Sequence, residues 1–201
     1  QVDGMLLVSS GAYEEALEII AQNNTPVVMV DRVGGARETD TILVDNEQGG
    51  LLATRYLLAL GHRRIGCITG PSLYSPTHGR LVGYRKALRE QHIPVDESLI
   101  VPGDFQHSGG YNGCRKLLSL PEPPTALFVG NDLMAVGALF ALHEMQLRVP
   151  EDISVIGFDD IPLASYTIPA LTTIAQPGRE LGQLAVETLV KRIQCPDMPS
   201  T

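Results

Sequence analysis

Two carboxylates, Asp159 and Asp160, close the run ISVIGFDD, and an aspartate–arginine pair, Asp31 and Arg32, closes PVVMVDR. Other apolar runs end in residues of related chemistry. Tyr74 and Arg80 follow RIGCITG, Phe105 follows LIVPGD, Asn131 and Asp132 follow TALFVG, and Gln176 follows LTTIA. Carboxylates accept hydrogen bonds from vicinal hydroxyls, guanidinium and amide groups donate back, and an aromatic ring covers an apolar face. That set suits a neutral, polyhydroxylated ring held in a cleft.

Taken singly, each residue has a plainer reading. Asn131 or Asp132 serves as N-cap of the helix that follows, and Asp45 does the same before NEQGG. Arg32 and Arg80 read as solvated surface arginines, since most arginines are exposed. Phe105 alone reads as core, and the five histidines, without ligand spacing, read as surface or loop residues. Only the shared position of the polar groups, each just beyond an apolar run, favours a binding site.

Catalysis has less support. The sequence holds no GxSxG elbow, P-loop, GxGxxG or HExxH, so no catalytic residue and no cofactor is expected. Asp159 and Asp160 could hold Mg²⁺ only with further carboxylates and a lysine at neighbouring strand ends. Lys86, Lys116 and Lys191 instead fall inside helical segments, and no metal site is expected.

The elements that would position these residues alternate. Strand-like runs at 3–9, 26–31, 41–45, 64–70, 99–105, 125–130, 153–160 and 171–177 are interleaved with helical periodicity at 12–23, 46–61, 79–91, 109–120, 131–146 and 180–193. Most of the strands are continuous apolar runs, the pattern of strands buried on both faces. The expected class is α/β, with parallel sheets flanked by helices and ligand-facing residues beyond the strand carboxyl ends.

The 201 residues carry a formal net charge of −8, which opposes nucleic-acid binding by this segment itself. Its one dense basic run, GHRR at 61–64, is too short for a DNA-binding patch. No apolar stretch has the length of a bilayer-spanning helix, and no signal peptide is visible. Cys67, Cys114 and Cys195 are widely spaced and odd in number, which fits a reducing compartment.

The stretches VDGMLLV, PVVMVDR, VDNEQGG, LGHRRIGCITGP, GRLVGYRKAL, PPTALFVGNDLMAVGAL, RVPEDISVIGFDDIPLASY and PALTTIAQP cover almost the whole chain. Together they resemble the effector-binding domain of LacI/GalR-family transcriptional regulators, a periplasmic-binding-protein-like fold of type I. The resemblance implies two lobes, each a parallel sheet flanked by helices: residues 1–44 with 177–193, and residues 45–176. It implies pocket residues at Asp31, Arg32, Arg80, Phe105, Asn131, Asp159 and Gln176, to which the loop residue Tyr74 is added. Their identities resemble the pentose-binding members of the fold, so a ribose-like monosaccharide is the expected effector. It also implies a cytoplasmic homodimer or higher homo-oligomer that regulates transcription as a repressor. The same cleft would serve an exported sugar-binding protein of a transporter, the alternative. By comparison with the family, the helix-turn-helix headpiece that contacts operator DNA is absent from these residues. So are two strand–helix units of the N-terminal lobe, and the expectation is a piece of a longer chain.

Overall fold

The computed structural model describes residues 2–8, 19–20, 25–31 and 39–196. Its chain divides into two compact units, residues 1–44 with 177–201, and residues 45–176.

In the first unit, β1 (Met5–Leu7), β2 (Val27–Val30) and β3 (Asp40–Ile42) form a parallel sheet in that order. The helix expected at 12–23 is described only at its helical residues 19 and 20; the remainder lies outside the described residues. Helix α5 (Gly178–Gln194) covers the sheet, burying Ala185 with Leu181 and Leu189 against Val28, Val30 and Ile42. A bidentate ion pair fastens it there: Arg192 Nε and Nη2 each lie 2.8 Å from an Asp40 carboxylate oxygen. Asp40 is 3% exposed, so its charge requires this partner.

The second unit is a five-stranded parallel sheet of β4 (Ile65–Thr69), β5 (Ile100–Pro102), β6 (Ala126–Val129), β7 (Ser154–Asp159) and β8 (Thr172–Ala175), in the order β5-β4-β6-β7-β8. The two-residue period of a strand sorts its side chains into two cores. Ile65, Cys67, Ala126, Phe128, Ile156 and Phe158 join one cluster with Leu51, Leu57, Tyr84 and Leu88. Ile68, Leu127, Val129 and Val155 join another with Cys114, Leu117, Met134 and Leu142. The first cluster is covered by α1 (Asn46–Ala59) and α2 (Ser75–Glu90), the second by α3 (His107–Leu118) and α4 (Asp132–Glu144). This is the expected α/β class: parallel sheets flanked by helices.

Helices α1 and α2 touch backbone to backbone. A Cβ on Gly50 would run into the main chain of Arg80, and one on Gly83 into that of Glu47. The close approach also redraws the apolar face of α1. Leu51, Thr54, Leu57 and Leu58 are buried, whereas Leu52, Tyr56 and Leu60, spaced i, i+4 and i+8, form an exposed stripe. Several element boundaries differ from expectation, and two of the shifts have a local cause. Helix α2 begins at Ser75, four residues early, because Pro76 fits a first helical turn. Strand β5 starts at Ile100 rather than Leu99, because Asp96 caps a short 3₁₀ turn over Glu97–Leu99.

His62 is not a plain surface residue. Its Nδ1 lies 2.9 Å from Thr125 Oγ1 and its Nε2 3.0 Å from Ser154 Oγ, bridging the amino ends of β6 and β7. No helix among the described residues is long and apolar enough to cross a membrane.

Candidate functional site

The polar residues gather where the strands of the second unit end, and Arg80 is their centre. It lies in α2 and is 5% exposed, so it is not a solvated surface arginine. Burying a guanidinium is costly unless its N–H groups find acceptors. Arg80 Nε donates to Asn46 Oδ1 at 2.8 Å, and Nη1 donates to the carbonyl of Gly130, just beyond β6. Nη1 also lies 3.6 Å from Asp159 Oδ1, and the guanidinium carbon sits 3.7 Å from the Phe158 ring centroid. Charge, amide and aromatic face therefore share the load of holding one cation.

Asp159 is the last residue of β7, with φ 117°, and Asp160 follows at φ 60°. Aspartate tolerates such backbone better than most residues, because its short side chain bonds locally. The turn aims Asp159 at Arg80 and at Gln176, whose Nε2 donates to Asp159 Oδ1 at 2.6 Å. The Gln176 amide also donates to the Asp159 carbonyl at 3.3 Å. Asp160 is exposed.

A second cluster adjoins through Gly130. Asn131 caps α4, its Oδ1 accepting from the Met134 amide at 2.9 Å, while its Nδ2 donates to the Phe105 carbonyl at 3.2 Å. Capping and loop-holding thus both engage this side chain. Phe105 stands at φ 63° and stacks on Tyr74, with ring centroids 5.9 Å apart and planes 17° off parallel. A Cβ on Gly70 would collide with the Phe105 ring, so glycine after β4 leaves that ring its place.

Asp31 belongs to the first unit, where it follows β2 at φ 56° and donates its amide to the Ile42 carbonyl at 2.7 Å. Arg32 lies outside the described residues. Six non-glycine residues among those described have positive φ. Four of them, Asp31, Phe105, Asp159 and Asp160, close or follow strands; His92 and Gln146 instead follow helices. Strained backbone of this kind concentrates at functional sites.

Two residues that support the site were not among the expected pocket positions. Asn46, the first residue of α1, is 8% exposed and supplies the acceptor for Arg80 Nε. Asp132 is fully buried; its carboxylate accepts from the Ile161 amide at 2.9 Å and from the Thr173 hydroxyl. Burial pushes its carboxyl above the ordinary aspartate range, against the pull of those hydrogen bonds. It clips the loop after β7 to β8, which fixes the ground on which Asp159 stands. Its signal was an acidic residue in an otherwise apolar helix start, indistinguishable in sequence from a cap. Among the described residues no group of three or more histidine, cysteine or acidic side chains is arranged to hold a metal ion.

Parallel sheets flanked by helices, with polar residues at the strand carboxyl ends, define an α/β domain of the periplasmic-binding-protein-like class, and residues 54–201 match the family described as the periplasmic binding protein-like domain. The chain belongs to that family. Within it, the likeness is to LacI-type regulators. The chain is 45% identical over 199 residues to the ribose operon repressor of Escherichia coli (strain K12), covering 98% of this chain and 60% of the repressor. It is 46% identical over 196 residues to the HTH-type transcriptional repressor PurR of Photorhabdus laumondii, covering 96% of this chain and 57% of that one. A LacI family transcriptional regulator from Enterococcus faecium, solved with bound ribose, superposes with a TM-score of 0.88 at 35% identity, over 99% of this chain and 74% of that one. The chain spans about 60% of the length of the curated relatives it matches.

Proposed function

We propose that this chain is the effector-sensing part of a LacI-type transcriptional repressor and that its effector is a neutral monosaccharide, a ribose-like pentose first. The observation that carries the reading is the series Asn46–Arg80–Asp159–Gln176 at the strand carboxyl ends, two hydrogen bonds joined by the Arg80–Asp159 ion pair. One cation and one anion balance each other there, which favours an uncharged ligand rich in hydroxyls over a phosphorylated one. The Tyr74–Phe105 pair offers an aromatic surface close by. Asp31 and Arg32 are proposed as further ligand contacts, with Asn131 as a donor. The relative named a ribose operon repressor and the neighbour with bound ribose support the pentose.

In this reading the effector binds one arrangement of the domain better than another, and that differential affinity modulates operator binding through a headpiece outside these residues. The whole protein acts in the cytoplasm as a homodimer, is not an enzyme and needs no metal. An exported transport receptor finds no support in relatives named as repressors. Calorimetry on the full-length protein with sugars, sugar phosphates and purines tests the ligand class. Micromolar binding of ribose or a related sugar is expected; binding of a purine or a sugar phosphate with no response to free sugars refutes it.

A further inference from the structure

We infer that Asn46 is a positioning residue: it holds the Arg80 guanidinium where it meets Asp159, and with Gln176 it ties that ion pair to both places where the chain passes between its two units. The boundaries fall between Val44 and Asp45 and between Gln176 and Pro177. Asn46 is two residues past the first boundary, and Gln176 is the last residue before the second. Between them runs a continuous series of polar contacts: Asn46 Oδ1 to Arg80 Nε at 2.8 Å, Arg80 Nη1 to Asp159 Oδ1 at 3.6 Å, and Asp159 Oδ1 to Gln176 Nε2 at 2.6 Å. Asn46 and Arg80 are both nine-tenths buried, so neither exchanges its partner for water without cost.

Local structure fixes Asn46 in turn. Asp45 caps α1 by accepting from the Gln48 amide at 2.8 Å, and a Cβ on Gly79 would press on the Asn46 side chain. The type of residue matters too. An amide gives Arg80 Nε an acceptor without adding a carboxylate, so Asp159 remains the anionic partner identified for that guanidinium. Strain at either boundary residue therefore reaches the ion pair, and a ligand that engages the pair acts on both boundary residues. The ligand half of this statement rests on the function proposed above; the positioning half does not.

The test follows the ¹⁵N–¹H resonance of Arg80 Nε in the full-length protein without ligand, assigned by its disappearance in Arg80→Lys. Asn46→Ala is expected to speed solvent exchange of that proton at least ~10-fold, the loss of one hydrogen bond from a charged group. Asn46→Asp keeps an acceptor and is expected to retain slow exchange. Gln176→Leu changes a residue bonded to Asp159, and is expected to shift the same resonance. In parallel, ribose calorimetry on Asn46→Ala, Gln176→Leu and the double variant is expected to show each single change weakening binding about 10-fold and the double weakening it by less than their product. Unchanged exchange in Asn46→Ala overturns the inference, as does an Arg80 resonance that ignores Gln176→Leu. If Asn46→Ala does not fold, Asn46→Asp and Gln176→Leu decide the question by the same signal. A wild-type protein that binds no sugar but shows the expected resonances refutes the ligand class and upholds the positioning role.

Discussion

Replacing Asp159 by asparagine keeps the side chain's shape and removes its charge, which separates stability from recognition in one variant. The carboxylate oxygen Oδ1 lies 3.6 Å from Arg80 Nη1 and 2.6 Å from Gln176 Nε2, and an amide oxygen there carries no full charge. At that separation two unit charges attract by about 5 kcal/mol at an effective dielectric of ~20, most of which offsets the desolvation of the guanidinium. The Asp159 side chain is 26% exposed and keeps some water, so the net loss of stability should fall to about 1–2 kcal/mol. For a unit of this size that lowers the melting midpoint by roughly 3–8 °C. Binding should suffer separately: a charge-assisted hydrogen bond to a sugar hydroxyl contributes about 1.5–3 kcal/mol, or roughly 10- to 150-fold in affinity. Scanning calorimetry and titration calorimetry on the same sample of full-length protein read both. A lowered midpoint with unchanged sugar affinity would remove Asp159 from the site and leave it a purely structural partner of Arg80. An unchanged midpoint would show that the ion pair contributes nothing to the fold.

Three further outcomes follow from other parts of the molecule. Arg192→Ala strips the buried Asp40 of its bidentate partner and should destabilise the first unit by about 3 kcal/mol, seen as faster amide exchange in β3 with little change in β4–β8. Asp132 titrates higher when folded because it is buried, so the folded state holds its proton more tightly than the unfolded chain. Its contribution is most favourable at acid pH and is lost as pH rises from the ordinary value of 3.8 through the raised one; urea titrations should show the stability gap between wild type and Asp132→Asn shrinking over that range. Asp152 is held at about 2 by the Arg148 guanidinium and amide, so Arg148→Ala should return its carboxyl toward 3.8 in an NMR titration.

Much of the architecture was legible because burial imposes simple periods. Strands β4, β6 and β7 are continuous apolar runs whose alternate residues feed two cores, and that pattern is visible without coordinates. The positions of Arg80, Asp159 and Gln176 beyond apolar runs were legible for the same reason. Their partnerships were not. Nothing in NEQGG marks Asn46 as the acceptor for an arginine 34 residues later, because the meeting depends on how closely Gly50 and Gly83 let two helices approach. Helical periodicity alone does not separate the exposed Leu52, Tyr56 and Leu60 from the buried Leu51 and Leu57; packing against α2 decides which part of a wide apolar face is buried. Asp132 and Asn131 are neighbours with interchangeable capping chemistry; Asn131 takes the cap, and Asp132 bonds Thr173 and Ile161, which no local pattern connects to it.

The left-handed backbone at Phe105, Asp159 and Asp160 has a consequence for how this sequence can drift. Glycine adopts such angles without the clash that Cβ introduces, worth about 1 kcal/mol per residue. Asp160 is exposed, so a glycine there costs little contact and relieves strain. At Phe105 the same exchange forfeits the stack on Tyr74, and at Asp159 the bond to Gln176 and the pairing with Arg80. A library selected only for folded protein should therefore enrich glycine at position 160. A library selected for response to a ligand should hold phenylalanine at 105 and aspartate at 159 against that gradient. The difference between the two enrichment profiles would mark, residue by residue, where the backbone is kept uncomfortable for the sake of what it presents.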